Sequence, residues 1–220
     1  MISEAGPEAS TARDDWQRFR YVTSMVDHWN RPGWSRGREA YYWYLTFDSL
    51  QLARLARQCQ NDLKFPYLDA VPLNGLHLTL PKIGWSDEVT DDEVRRITER
   101  ARELCLELKE FRLSVGPLSG SPGAVRFSVA PWRPLQSLSE RLRKAIEAVR
   151  GTSCEEPEFR PHIGIAYCNR VVPTDELITR ITRLRSLPPV EVAVDRVKLV
   201  RVRRQDKTYV WSTISKLPLA

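Results

Sequence analysis

The sequence predicts an α+β fold of two related lobes facing each other across a cleft. Strand-like and helix-like segments appear twice in similar order, and each half of the chain holds one histidine in an alternating segment roughly central to it. The two segments, Leu76-His77-Leu78-Thr79-Leu80 and Pro161-His162-Ile163-Gly164-Ile165, place their histidines 85 positions apart in near-identical surroundings. Successive strand side chains point to opposite sides, so each histidine shares a face with the residue two places on. The apolar residues share the other face, and the two histidines are expected to meet in the cleft.

The elements follow from pattern and punctuation. Residues 1 to about 15 are polar, with Gly, Pro and Ser, and predict a loosely attached tail. From Trp29 to Trp43, planar rings alternate with arginines, and Pro32-Gly33 marks a turn. Such an arm can stack bases and hold phosphates through Trp29, Trp34, Arg36 and Arg38, or it can pack its tryptophans on the domain with its arginines in water. Residues 1–38 are therefore assigned to a tail and arm, and residues 39–220 to the two-lobed domain.

A strand is expected at Tyr41 to Phe47, then a helix opening near Asp48 or Ser49 with a Leu52, Leu55, Ala56, Cys59 stripe. A loop through Pro66 and Pro72 leads to the first histidine strand. Thr90-Asp91-Asp92-Glu93 has capping-box spacing ahead of Val94, Ile97, Ala101, Leu104 and Leu108 at helical intervals. Phe111–Val115 and Val125–Val129 read as strands joined by a loop from Gly116-Pro117 to Pro122-Gly123. A helix from about Leu135 to Val149 carries Leu138, Leu142, Ile146 and Val149 on one side. After the second histidine strand come a helix near Thr174 to Leu184 and strands at Val190 to Val202 and Thr208 to Thr213, joined by the charged turn 203–207.

Composition narrows the function. The 220 residues carry 34 Lys and Arg against 28 Asp and Glu, a net charge of +6, which favours anionic partners such as phosphates or RNA. Cys59, Cys105, Cys154 and Cys168 are widely spaced without a Cys-x-x-Cys pair, which argues against a zinc knuckle or a disulfide framework. No basic leader and no membrane-spanning run is read, so a soluble cytoplasmic protein is expected.

Opening a cyclic phosphodiester needs one group to take a proton from the nucleophile and another to protonate the departing oxygen. Two imidazoles suit both roles, because histidine's ordinary pKa leaves both forms accessible near neutrality. His77 and His162 are the candidate pair. A metal site would want three ligands, and no carboxylate stands at ligand spacing from them, so neither metal nor cofactor is expected. Thr79 shares the face of His77 and can donate to a phosphate oxygen, whereas Gly164 offers only its backbone or space for water. Arg160 shares the face of His162 if the strand extends that far, and is a third phosphate-binding candidate beside Thr79 and Gly164. Lys82, Trp85 and Tyr167 follow the motifs closely, and Tyr44 and Arg126 lie in strands of the same apparent sheet; these five are possible substrate contacts.

The pattern resembles the 2H phosphoesterase superfamily, in particular its bacterial 2′-5′ RNA ligase-like (LigT-like) branch, over roughly residues 40 to 215. The resemblance rests on Leu-His-Leu-Thr-Leu and on Phe-Arg-Pro-His-Ile-x-Ile-Ala-Tyr. It implies pseudo-symmetric lobes of antiparallel sheet with helices outside, enclosing a central cleft, with His77 and His162 as catalytic pair and Thr79 as phosphate donor. It also implies a metal-independent phosphoesterase acting on a 2′,3′-cyclic phosphate, a 2′-5′ phosphodiester or a related cyclic nucleotide, with RNA ligation as the reverse. The expected partner is a nucleotide or RNA terminus, and the expected state a monomer. The family places Thr or Ser where this chain has Gly164. Two alternatives follow: an RNA- or nucleotide-binding module with an attenuated site, or an interaction domain whose histidines are structural.

Overall fold

The computed structural model describes residues 7–30, 32–34, 37–151 and 159–220, with residues 7–11 as backbone only. In chain order the elements are α1 Pro7–Arg20, β1 Ser24–Met25, β2 Glu39–Thr46, α2 Leu50–Asp62, β3 Leu68–Ala70, β4 His77–Trp85, α3 Asp91–Cys105, β5 Phe111–Ser121, β6 Ala124–Ala130, α4 Trp132–Arg150, β7 His162–Cys168, β8 Val172–Pro173, α5 Asp175–Leu184, β9 Val190–Val194, β10 Arg196–Gln205 and β11 Thr208–Pro218.

The starts of α2 and α3 are set by side chains that satisfy otherwise unpaired amides. Ser49 Oγ accepts from the Leu52 amide at 3.2 Å to open α2, whose buried stripe is Leu52, Leu55, Ala56 and Cys59. Thr90 and Glu93 close a full capping box on α3. Leu108 lies beyond the end of α3, and α4 begins three residues earlier than its apolar stripe alone indicates.

A four-stranded sheet runs β11-β10-β2-β4, a five-stranded sheet runs β3-β7-β6-β5-β9, and β1 pairs with β8. All these pairings are antiparallel. Helices α1, α2 and α5 pack on the five-stranded sheet; α4 packs on β4 and carries α3. The lobes are not successive halves of the chain, because β10 and β11 return to pair beside β2. The histidine strands are not central in their sheets: β4 is an edge strand and β7 is next to one, and the two strands pack against each other.

Four expectations are corrected. The polar tail is a docked helix from Pro7, with Phe19 buried and Asp15 only 2% exposed. Phe19 fits because Gly120 has no Cβ; one would sit 2.5 Å from the ring. Residues 1–6 lie outside the described residues. The loop expected from Gly116 to Gly123 is mostly strand: β5 runs on to Ser121 through a bulge at Gly116-Pro117, where the register shifts between Val115 and Leu118. A bulge tolerates proline, which has no N–H for the ladder, and Gly116 adopts φ +132° there. Val190–Val202 is two strands broken at Asp195, with β9 pairing with β5 and β10 with β2. Finally, the β10–β11 pairing continues to Gln205 and Thr208, leaving only Asp206-Lys207 as the turn.

Candidate active site

His77 opens β4 and His162 opens β7, and both line one cleft of about 560 Å³ between the sheets. Each ring is held in the same way: Nδ1 lies 2.8 Å from the carbonyl two residues back, Gly75 for His77 and Arg160 for His162. A carbonyl can only accept, so Nδ1–H donates and Nε2 is the basic nitrogen of each neutral ring. Arg126 Nη1 also lies 3.2 Å from Nδ1 of His162. Two donors cannot share that contact, and the shorter carbonyl bond, matched at His77, fixes the tautomer; Arg126 is a close cationic neighbour.

In the first lobe Tyr44 stacks on His77 with centroids 4.3 Å apart, and Trp211 meets it edge-on. Tyr44 stands opposite Thr79 across β2 and β4, and both side chains line the cleft. Burial holds the Tyr44 phenol well above its ordinary pKa, so it stays a neutral donor and acceptor. Burial also pushes His77 down to about 4, against a smaller opposing effect of its bond to Gly75. His77 is therefore neutral at physiological pH. Thr79 is exposed to the cleft.

In the second lobe Arg126 on β6 stands opposite Gly164 on β7. Arg160 precedes the strand rather than lying in it, yet it also lines the cleft. Buried Asp15 joins them: its carboxylate accepts from Arg160 at 2.9 Å and from Ser128 at 3.0 Å, and lies 3.7 Å from Arg126. Desolvation lowers the Arg126 pKa, and Asp15 opposes that shift. The space beside Gly164 is not open: the Tyr167 phenol oxygen is 3.4 Å from where a Cβ would lie.

Of the sequence candidates, His77, Thr79, Tyr44, Lys82, Arg126, Arg160, His162 and Tyr167 line the cleft together. Tyr44 and Arg126 do so from different sheets, not one. Trp85 lies behind this lining, with Lys82 Nζ 3.4 Å above its ring and Trp34 edge-on to it, so it supports a cation rather than facing the cleft. Among the described residues no three histidine, cysteine or carboxylate side chains gather as a metal site would require.

The family model of the 2′-5′ RNA ligase superfamily matches residues 47–206. The chain belongs to this superfamily. Solved structures share the fold: TT0787 of Thermus thermophilus is 22% identical, with 83% of this chain and 97% of that chain covered and a TM-score of 0.61. Escherichia coli LigT in apo form is 15% identical, with 83% and 98% covered and a TM-score of 0.62. LigT complexed with 3′-AMP is 16% identical, with the same coverages and a TM-score of 0.61. No curated protein sequence matches the chain.

Two residues of this 2′-5′ RNA ligase superfamily member were missed by sequence reasoning, and both precede the matched segment. Asp15 shares an α1 face with Phe19, so a carboxylate on an apolar stripe was the available signal. His28 is buried, stacks on Tyr167 at 4.0 Å and lies 3.0 Å from the Tyr209 hydroxyl through Nε2; no local pattern marks it. The arm packs on the domain. Trp29 donates its indole N–H to Asp69, Arg204 lies over Trp34, and Arg38 pairs with Asp87 and Glu88. Arg31, Ser35, Arg36 and Cys154 lie outside the described residues. Cys59, Cys105 and Cys168 are buried free thiols, and no described helix is long and apolar enough to cross a membrane.

This packing gives an expected result. Deleting residues 1–38 removes Phe19 and Met25 from the core, at about 1.5–3 kcal/mol for each such side chain, and takes the Asp15 carboxylate away from Arg126 and Arg160. The truncated protein is expected to be unfolded or strongly destabilised in thermal melts. A stable truncation that loses only RNA binding would restore the arm as a strand-binding appendage.

Proposed function

We propose that this protein is a metal-independent phosphoesterase that opens a 2′,3′-cyclic phosphate, or cleaves a 2′-5′ linkage, on a nucleotide or RNA terminus. The observation that carries the reading is the pair of histidines held in one tautomer by matching carbonyls within one cationic cleft. His77, held neutral by burial, takes the proton of the attacking water at Nε2. His162, in its imidazolium form, returns a proton to the departing ribose oxygen. Thr79, with Arg126 and Arg160, stabilises the charge that grows on the phosphoryl oxygens. In ligation a 5′-hydroxyl takes the place of water: it gives its proton to His77 and attacks the cyclic phosphate, and the ribose oxygen released takes a proton from His162. The 3′-AMP complex of LigT supports a ligand of nucleotide size for the cleft.

Two outcomes test this. With 2′,3′-cyclic nucleotides and 2′-5′ dinucleotides as substrates, turnover should survive a chelator. The acid limb of kcat/KM should fall near pH 4 rather than near histidine's ordinary 6.5, because the base must be neutral and burial lowers its pKa. The alkaline limb follows loss of the acid's proton. An acid limb above pH 6 would remove His77 from the base's role. Gly164 favours a second reading, nucleotide binding without turnover, which requires bound but unhydrolysed ligand.

A further inference from the structure

The two motifs match beyond their histidines. In β4 the pairing with β2 steps from Tyr44–Thr79 to Tyr42–Lys82, so β4 carries one extra residue after Thr79. In β7 the pairing with β6 steps from Arg126–Gly164 to Val125–Ala166, so β7 carries one extra residue after Gly164. Strict alternation would turn the residue five places after each histidine away from the cleft. A bulge reverses that parity and re-aims the side chain. Lys82 and Tyr167, five places after His77 and His162, accordingly both line the cleft.

The equivalent positions are filled differently. Lys82 stands over Trp85 and leaves Thr79 exposed. Tyr167 leans over Gly164, its oxygen 3.4 Å and its nearest ring carbons 3.7 Å from the glycine's absent Cβ. That is ordinary contact for a Cβ, so the phenol already bounds the space beside Gly164 into which a longer side chain would have to grow. Stacking of His28 at 4.0 Å and edge contacts from Trp29 and Tyr209 hold the ring in place.

We propose that the Tyr167 hydroxyl replaces the missing hydroxyl of the second motif, donating to a non-bridging phosphoryl oxygen beside His162. Gly164 is then the fitted partner of Tyr167 rather than a lost catalytic residue, and His28 positions the phenol. The assignment rests on the hydrolytic reading above and decides what Gly164→Thr should do. Without Tyr167, that substitution should raise turnover; with Tyr167 in place, it crowds a hydroxyl already present.

The test uses the full chain and a 2′,3′-cyclic mononucleotide under chelation. Tyr167→Phe keeps the ring and its stacking but removes the donor, so kcat should fall about tenfold or more with a smaller change in KM. Gly164→Thr alone should not raise turnover, whereas Gly164→Thr added to Tyr167→Phe should recover part of the loss. Unchanged kcat in Tyr167→Phe, with His77→Ala inactive, would overturn the hydroxyl assignment and leave the hydrolytic reading standing. A gain from Gly164→Thr in the otherwise unaltered protein would overturn it as well. Absence of turnover by the unaltered protein on cyclic phosphates and 2′-5′ dinucleotides would sink both.

Discussion

Replacing either His77 or His162 by alanine should lower turnover of a 2′,3′-cyclic phosphate by about 10²- to 10⁴-fold, the usual scale for loss of a general acid or base. The two variants should differ in stability. His77 is 8% exposed and packed against Tyr44 and Trp211, so its removal leaves a cavity and strands the Gly75 carbonyl. His162 is half-buried and should be the milder loss. Steady-state rates normalised to the folded fraction separate chemistry from folding, and His77→Gln offers a less cavity-forming control. Near-normal rates in both folded variants would exclude acid–base roles for the pair.

The second large effect is expected at a residue that touches no reacting atom. Asp15 is the buried counter-charge of Arg126 and Arg160, whose side chains are only 12% and 17% exposed. Asp15→Asn keeps the shape but leaves two guanidinium groups mostly out of water without their shared carboxylate. Breaking such a pair costs about 3 kcal/mol or more, equivalent to a melting temperature roughly 10 °C lower in a chain of this size. Turnover should fall about 10- to 100-fold because the arginines lose their anchor. Millimolar phosphate should restore more melting temperature in Asp15→Asn than in the unaltered protein, since an anion in the cleft can replace the lost charge. An unchanged melting curve would show that α1 is not held through this carboxylate.

Local information decided a large part of this protein. The Ser49 cap, the Thr90–Glu93 box, the helical stripes and the paired His-containing strands were legible because each is written within a few residues by hydrogen-bond need or by the period of the element. The α+β class and the strands that bring His77 and His162 to the lining of one cleft followed from those windows. The Val190–Val202 run showed the limit: its apolar residues indicated strand, but nothing local said that Asp195 divides two sheets.

What only the tertiary structure decided depends on partners distant in sequence. Asp15 finds Arg126 and Arg160 because α1 docks on β5 and β6, and a polar tail cannot announce the charge that waits for it. His28 meets Tyr167 and Tyr209 across separations that no periodicity spans. Tyr167 itself was visible in the sequence as a possible contact, yet alternation alone would turn it from the face of His162. The extra residue in β7 brings it into the cleft, and a bulge is a mismatch between two strands rather than a property of either one. The sequence by itself therefore determined the histidine pair and the elements that carry it, while long-range pairing decided which side chains surround that pair and how the space beside Gly164 is filled.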